Sequence, residues 1–162
     1  MQLFSSTTET RHAPPVVPKV VIDPVSVCMG LVYGDPQARR LIDLCREGRC
    51  IPLVSDDTLR ELCRALSSPF FAHAPLAARK SMLRDFVRIA RRLGVRRSVK
   101  RPPAGMASVL LAMAGQAQVL ITPSPDEVPR APGMNFRVLS PAAFLSELVP
   151  DQLFLQRPPK LH

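Results

Sequence analysis

Val20-Val21-Ile22-Asp23-Pro24-Val25 places three β-branched residues in a row, then a carboxylate, then a proline. An unbroken β-branched run fits a strand buried on both faces, and strands of that kind belong to parallel sheets. Short apolar runs recur at 50–54, 119–122 and 136–139. The stretches between them have helical spacing. Asp35-Pro36 reads as a helix start, because an acid caps the first N–H groups and proline loses nothing at the first helical position. Leu41, Ile42, Leu44 and Cys45 form the apolar side of that helix, and Gly48 is its stop. Ser55 caps the next helix, with Asp56 and Asp57 in its first turn and Leu59, Leu62 and Leu66 as its buried stripe. The longest helical pattern runs over 76–93, with Met82, Phe86, Ile89 and Leu93 on one face. An almost wholly apolar helix is expected over 106–117, and Ser140-Pro141 opens a last one over 142–148. Strands alternating with helices over short connections imply an α/β fold: a parallel sheet covered by helices.

The domain implied by this pattern spans 19–149. Residues 1–18 read as a flexible lead that closes on Ala-Pro-Pro-Val-Val-Pro, and 150–162 as a frayed, proline-rich tail. No apolar run approaches the length of a membrane span, and the first residues lack the apolar stretch of a secretory leader. Cys28, Cys45, Cys50 and Cys63 contain no closely spaced pair, and there are only three histidines. The thiols therefore read as reduced, half-buried core residues of a cytoplasmic protein rather than zinc ligands. With no Trp and one Tyr, an aromatic platform for stacking bases is not expected.

Charge is concentrated. The chain carries a formal +9, and the 23 residues from Arg79 to Arg101 hold ten basic side chains against the single acid Asp85. The other 139 residues balance, 12 basic against 12 acidic. Lys80, Arg84, Arg88 and Arg91 recur at helical spacing opposite the apolar face. Arg92, Arg96, Arg97, Lys100 and Arg101 extend the cluster. Three readings compete: contact with a nucleic-acid backbone, contact with an acidic protein partner, or a solvated face. A solvated face usually mixes signs, and arginine outnumbers lysine 8 to 2 here, which suits bidentate phosphate contact. If the cluster makes about five phosphate contacts, single-strand affinity should fall with a log–log salt slope of about −3.5.

Ligands of an open parallel sheet bind beyond the carboxyl ends of its strands. The acids expected there are Asp23 after the first strand, Asp56, Asp57 and Glu61 on the helix after the second, and Asp126 and Glu127 after the third. Carboxylates without histidine or thiol pairs suit a hard cation such as Mg²⁺ or Mn²⁺. An acid at a strand end is about as often an ordinary helix cap.

The runs at 20–25, 41–49 and 54–62, with Leu110-Leu111-Ala112-Met113-Ala114-Gly115, Val119-Leu120-Ile121-Thr122 and the run at 138–145, resemble a PIN domain. The nearest branch is the bacterial PIN-family toxin components of toxin–antitoxin systems, and the similarity covers about 19–148. The resemblance implies a PIN-like three-layer α/β/α fold with a central parallel sheet of four or five strands. It also implies metal-dependent RNA cleavage by clustered acids, with RNA, an antitoxin protein and a second copy of the chain as partners. Asp23 matches the family's first acid and Glu61 the acid on the second-strand helix. Elsewhere the pattern departs. Asp-Thr-Asn is replaced by Asp23-Pro24-Val25, Thr-Gly-Asp by Thr122-Pro123-Ser124, and the stretch that should carry the third acid reads Arg101-Pro102-Pro103-Ala104-Gly105-Met106. No acid occurs between Asp85 and Asp126.

Two carboxylates hold Mg²⁺ poorly, and clustered carboxylates repel unless a metal or proton neutralises them. Loss of an acid can therefore stabilise the metal-free protein while ending activity. One reading is a degenerate PIN-like protein that binds RNA or a partner, with Asp23, Glu61 and Asp126 as a remnant catalytic set. The alternative is an active Mg²⁺- or Mn²⁺-dependent endoribonuclease using those three residues, with Asp23 and Glu61 as metal ligands.

Overall fold

The computed structural model describes residues 17–96 and 102–147. Residues 1–16 of the expected lead, the whole expected tail, and Arg97, Lys100 and Arg101 lie outside the described residues. Strand β1 (Lys19–Ile22) pairs in parallel with β2 (Ile51–Val54) on one side and β4 (Val119–Ile121) on the other. A two-residue strand β3 (Arg91–Arg92) lines the outer edge of β2, and β5 (Arg137–Leu139) that of β4. The order is β3-β2-β1-β4-β5, parallel throughout. The chain builds outward from β1 in one direction, then returns to build in the other. The point of reversal is therefore the β1–β4 gap, where Asp23 follows one strand and Thr122 the other.

Side-chain alternation divides the core. Val20, Ile22, Val54, Val119 and Ile121 face one side of the sheet. Helix residues Val27, Leu41, Leu62, Phe86 and Phe144 pack there, from α1 (Pro24–Cys28), α2 (Pro36–Arg46), α3 (Asp56–Leu66), α4 (Leu76–Ile89) and α6 (Pro141–Glu147). Val21, Leu53 and Leu120 face the other side, against Val109, Leu111 and Ala112 of α5 (Met106–Ala114) and the segment 128–136. Among the described residues, no helix is long and apolar enough to cross a membrane.

The helix boundaries follow local chemistry. Asp35 accepts a hydrogen bond from the Ala38 N–H at 3.0 Å with Pro36 behind it, as the sequence predicts. At the other end of α2, Arg49 N–H donates to Leu44 O and Gly48 N–H to Cys45 O, with Gly48 at φ +74°. This double closure is the Schellman arrangement, and it needs glycine at the left-handed position. Ser55 and Thr58 cap α3 reciprocally, with Ser55 N–H donating to Thr58 Oγ1 at 2.9 Å and Thr58 N–H to Ser55 Oγ at 3.3 Å.

Several boundaries differ from expectation. The helix expected over 76–93 ends at Ile89, because Ala90 turns to an extended conformation and Arg91–Arg92 pair with the open edge of β2. That pairing supplies the fifth strand. The helix expected over 106–117 stops at Ala114, where Gln116 at φ +51° and the bond from Ala117 N–H to Ala112 O turn the chain into β4. The sequence reading did not anticipate α1, which continues into a π-helical turn (Met29–Tyr33) closed by Gly34. All four cysteines are free thiols; Cys28, Cys45 and Cys50 are buried, but Cys63 is exposed rather than half-buried in the core.

Candidate functional site: an acidic pair and a cationic helix face

Asp23 holds its position at the strand switch through three bonds. Its N–H donates to Ile121 O at 2.8 Å, Val25 N–H donates to Oδ1 at 2.7 Å, and Thr122 Oγ1 donates to Oδ2 at 3.4 Å. The same carboxylate therefore caps α1 and bridges to the end of β4. Burial raises the Asp23 pKa above its ordinary value, although the Val25, Thr122 and Ser26 donors pull it back. Glu61, one turn into α3, is also raised, first by burial and then by the Asp23 charge, with Arg64 opposing and Asp57 adding. The Cys28 thiol beneath is pushed up to about 12 by burial and by the same Asp23 charge.

The two acids carried over from the resemblance therefore lie within each other's electrostatic reach. Asp126 sits exposed on a short 3₁₀ turn (Pro125–Glu127) after β4. Among the described residues, no three of the His, Cys, Asp and Glu side chains gather as a metal ion would require. The head of α5 supplies no replacement. Gly105 is left-handed at φ +83°, no side chain caps the helix, and a Cβ there would stand 3.3 Å from Pro129 Cδ. In place of an acid there is a cavity of about 310 Å³ lined by Pro102, Pro103, Met106, Leu110 and Met113, with Ser55 and Asp57 its polar members.

The buried polar residues share a location. Ser26, Ser55, Thr58, Ser108 and Thr122 all lie just beyond the carboxyl ends of strands or in the first turns of the helices there. Among the described residues, the Ser26 and Ser108 hydroxyls have no hydrogen-bond partner. This edge is polar, as a ligand-binding edge of an α/β sheet is.

The cations are arranged differently. Lys80, Arg84 and Arg88 are exposed along α4, and Arg91 and Arg96 are exposed beyond it. Arg88 meets Asp85 at 3.7 Å across an exposed pair. Among the described residues, Lys80, Arg84, Arg91 and Arg96 enter no ion pair. Arg91 and Arg92 lie on β3 rather than on the helix, so their side chains leave opposite faces of the sheet. Arg92 is tied to Asp56 at the head of α3, with Nε donating to Oδ1 at 3.0 Å and Nη2 donating to the same oxygen. Arg79, the first basic residue of the run, donates to Leu66 O and fastens α4 to the end of α3.

Sequence reasoning missed one group altogether. Tyr33 and Phe70 stack with centroids 4.9 Å apart and planes 10° from parallel. Phe71 and His73 meet them edge-on. Phe71 is buried, but Tyr33 and Phe70 are 52% and 56% exposed. Low aromatic content predicted no such surface, and 37 residues separate the two stacked rings, so no local motif marks it. No family model matches the chain, and no curated protein matches it.

Proposed function

We propose that this is a PIN-like protein that binds a nucleic-acid backbone, single-stranded RNA above all, through α4 and the segment after it, without metal-dependent cutting. The observation that carries the reading is the exposed row Lys80, Arg84 and Arg88, extended by Arg91 and Arg96, with Asp85 the single carboxylate paired within it among the described residues. Like charges spaced four apart on a helix repel and destabilise it slightly. A polyanion relieves that repulsion and releases its own counterions in doing so. The parallel sheet in the order β3-β2-β1-β4-β5 is compatible with a PIN-like fold.

The competing enzyme reading needs a divalent cation held by Asp23, Glu61 and Asp126. The donor set does not fit one. Asp23 and Glu61 form a pair, but no third carboxylate joins them among the described residues, and Mg²⁺ demands neutralisation with near-octahedral order.

The test is the salt dependence of binding to a single-stranded RNA. Five phosphate contacts give a log–log slope of about −3.5. A flat salt response, or an affinity unchanged by reversing Arg84 and Arg88 to glutamate, removes the reading. Manganese titration calorimetry on the wild type and the Asp23→Asn protein addresses the competitor, because Asp23-dependent heat would restore the metal site.

A further inference from the structure

Neither the acidic pair nor the cation row explains the exposed Tyr33–Phe70 stack. Large apolar side chains exposed singly are ordinary. Here two rings lie face to face in the open, with His73 edge-on to Tyr33 at 5.2 Å, in a chain whose aromatic content is 5%. Their support is rigid. Phe71 is buried and reaches the same core cluster as Phe86 of α4, and Gly34 closes the π-helical turn that presents Tyr33. A Cβ on Gly30 in that turn would stand 2.8 Å from Ala38 O, so the turn lies hard against α2.

We infer that Tyr33 and Phe70, with His73 beside them, form a stacking platform for an unpaired base of a single-stranded nucleic acid. The site rests on the backbone-binding reading and adds to it what the strand must be: one with bases free to leave their own stack. Position carries the argument. The Ser68–Ala72 turn that holds Phe70 runs through His73 directly into α4, whose exposed Leu76, Lys80, Arg84 and Arg88 follow at four-residue intervals. The π-helical turn bearing Tyr33 packs against α4 as well. The rings thus sit at the N-terminal end of the cation row. An aromatic face next to cations tracking a phosphate backbone is the combination that sequence-tolerant single-strand binders use. A protein partner would also cover the rings, but an acidic one would have to match apolar rings and cations along one helix. A polynucleotide carries both chemistries in every residue.

The chain has one tyrosine and no tryptophan, so its tyrosine emission reports Tyr33 alone. Three probes are titrated at low salt: an oligouridylate of about ten nucleotides, an abasic sugar-phosphate strand of equal length, and inorganic polyphosphate. All three should bind, and only the oligouridylate should quench Tyr33. Phe70→Leu, which keeps an apolar side chain but removes the ring, should weaken oligouridylate about tenfold, within the range known for base–aromatic stacking. It should leave the other two affinities unchanged. If polyphosphate and the abasic strand fail to bind, the backbone reading falls. If they bind while the bases add neither affinity nor quenching, the platform alone falls. It also falls if Phe70→Leu converts a dimer to a monomer in sedimentation, because a second copy of the chain would then be what covers the rings.

Discussion

Asp23 and Glu61 lie partly withdrawn from water and within each other's field, with Asp23 tied to backbone N–H groups, whereas Lys80, Arg84 and Arg88 stand in solvent along a helix. The acids are raised by burial, so their charge opposes the packing around them. The cations ride on a helix whose single buried residue is Phe86, and their charge is free to meet something outside. A charge inside the fold is read out as stability, and a charge on its surface as affinity. The acidic pair should therefore respond to pH and the cation row to salt.

The largest expected effect undercuts the surface region from below. Phe86 is 2% exposed, and Phe86→Ala should lower unfolding free energy by about 3–5 kcal/mol in denaturant titration. A cost under about 1 kcal/mol would mean that α4 does not pack as described. Next comes reversal of the cations. Lys80→Glu, Arg84→Glu and Arg88→Glu together should weaken single-strand RNA on the order of a hundredfold near physiological salt and flatten the log–log slope by about 2, with little change in melting temperature.

The pH response concerns the inner charges. Because the folded Asp23 carboxyl binds its proton more tightly than the ordinary value of 3.8, the contribution of this group to stability is full below that value and is lost as pH climbs through the raised one. Asn keeps an acceptor for the Val25 N–H but carries no charge. Thermal melts of Asp23→Asn should accordingly gain on wild type as pH rises and converge with it in acid. The opposite slope would mean that a cation holds the carboxylate ionised. Ser55→Ala removes the α3 cap at the same edge and should cost about 1 kcal/mol. The smallest effect belongs to Arg92→Ala. Its pair with Asp56 is 64% exposed on both sides, so the loss should stay below about 1 kcal/mol and should vanish in high salt.

The two Asp-Pro dipeptides measure how far sequence carried the fold. Asp35-Pro36 announced α2, and the capping bond to Ala38 is there. Asp23-Pro24 carries the same signal and caps α1 by the same chemistry, yet the sequence reading takes it only as the end of β1, which it also is. Strand β3 was hidden for a different reason. Two arginines have no strand propensity, and pairing with the vacant edge of β2 overrides the helical period that precedes them. At the site, strand-end logic names Asp23 and Glu61 only together with Asp56, Asp57, Asp126 and Glu127, and the resemblance singles out the pair. The Asp23–Thr122 bond and the Tyr33–Phe70 stack join residues 99 and 37 positions apart, and contacts of that range leave no trace in local pattern.

The aspartate after β1 has a further consequence, for how such sequences evolve. Its carboxylate starts a helix and bridges two strands, so selection for folding alone suffices to keep an acid or its amide at position 23. Among the described residues, Glu61 makes no hydrogen bond to the backbone that would hold it in the same way. In a lineage that had stopped cutting, drift should reach Glu61 long before Asp23. An aspartate in that place is then a poor witness to catalysis, and the residue at position 61 a better one.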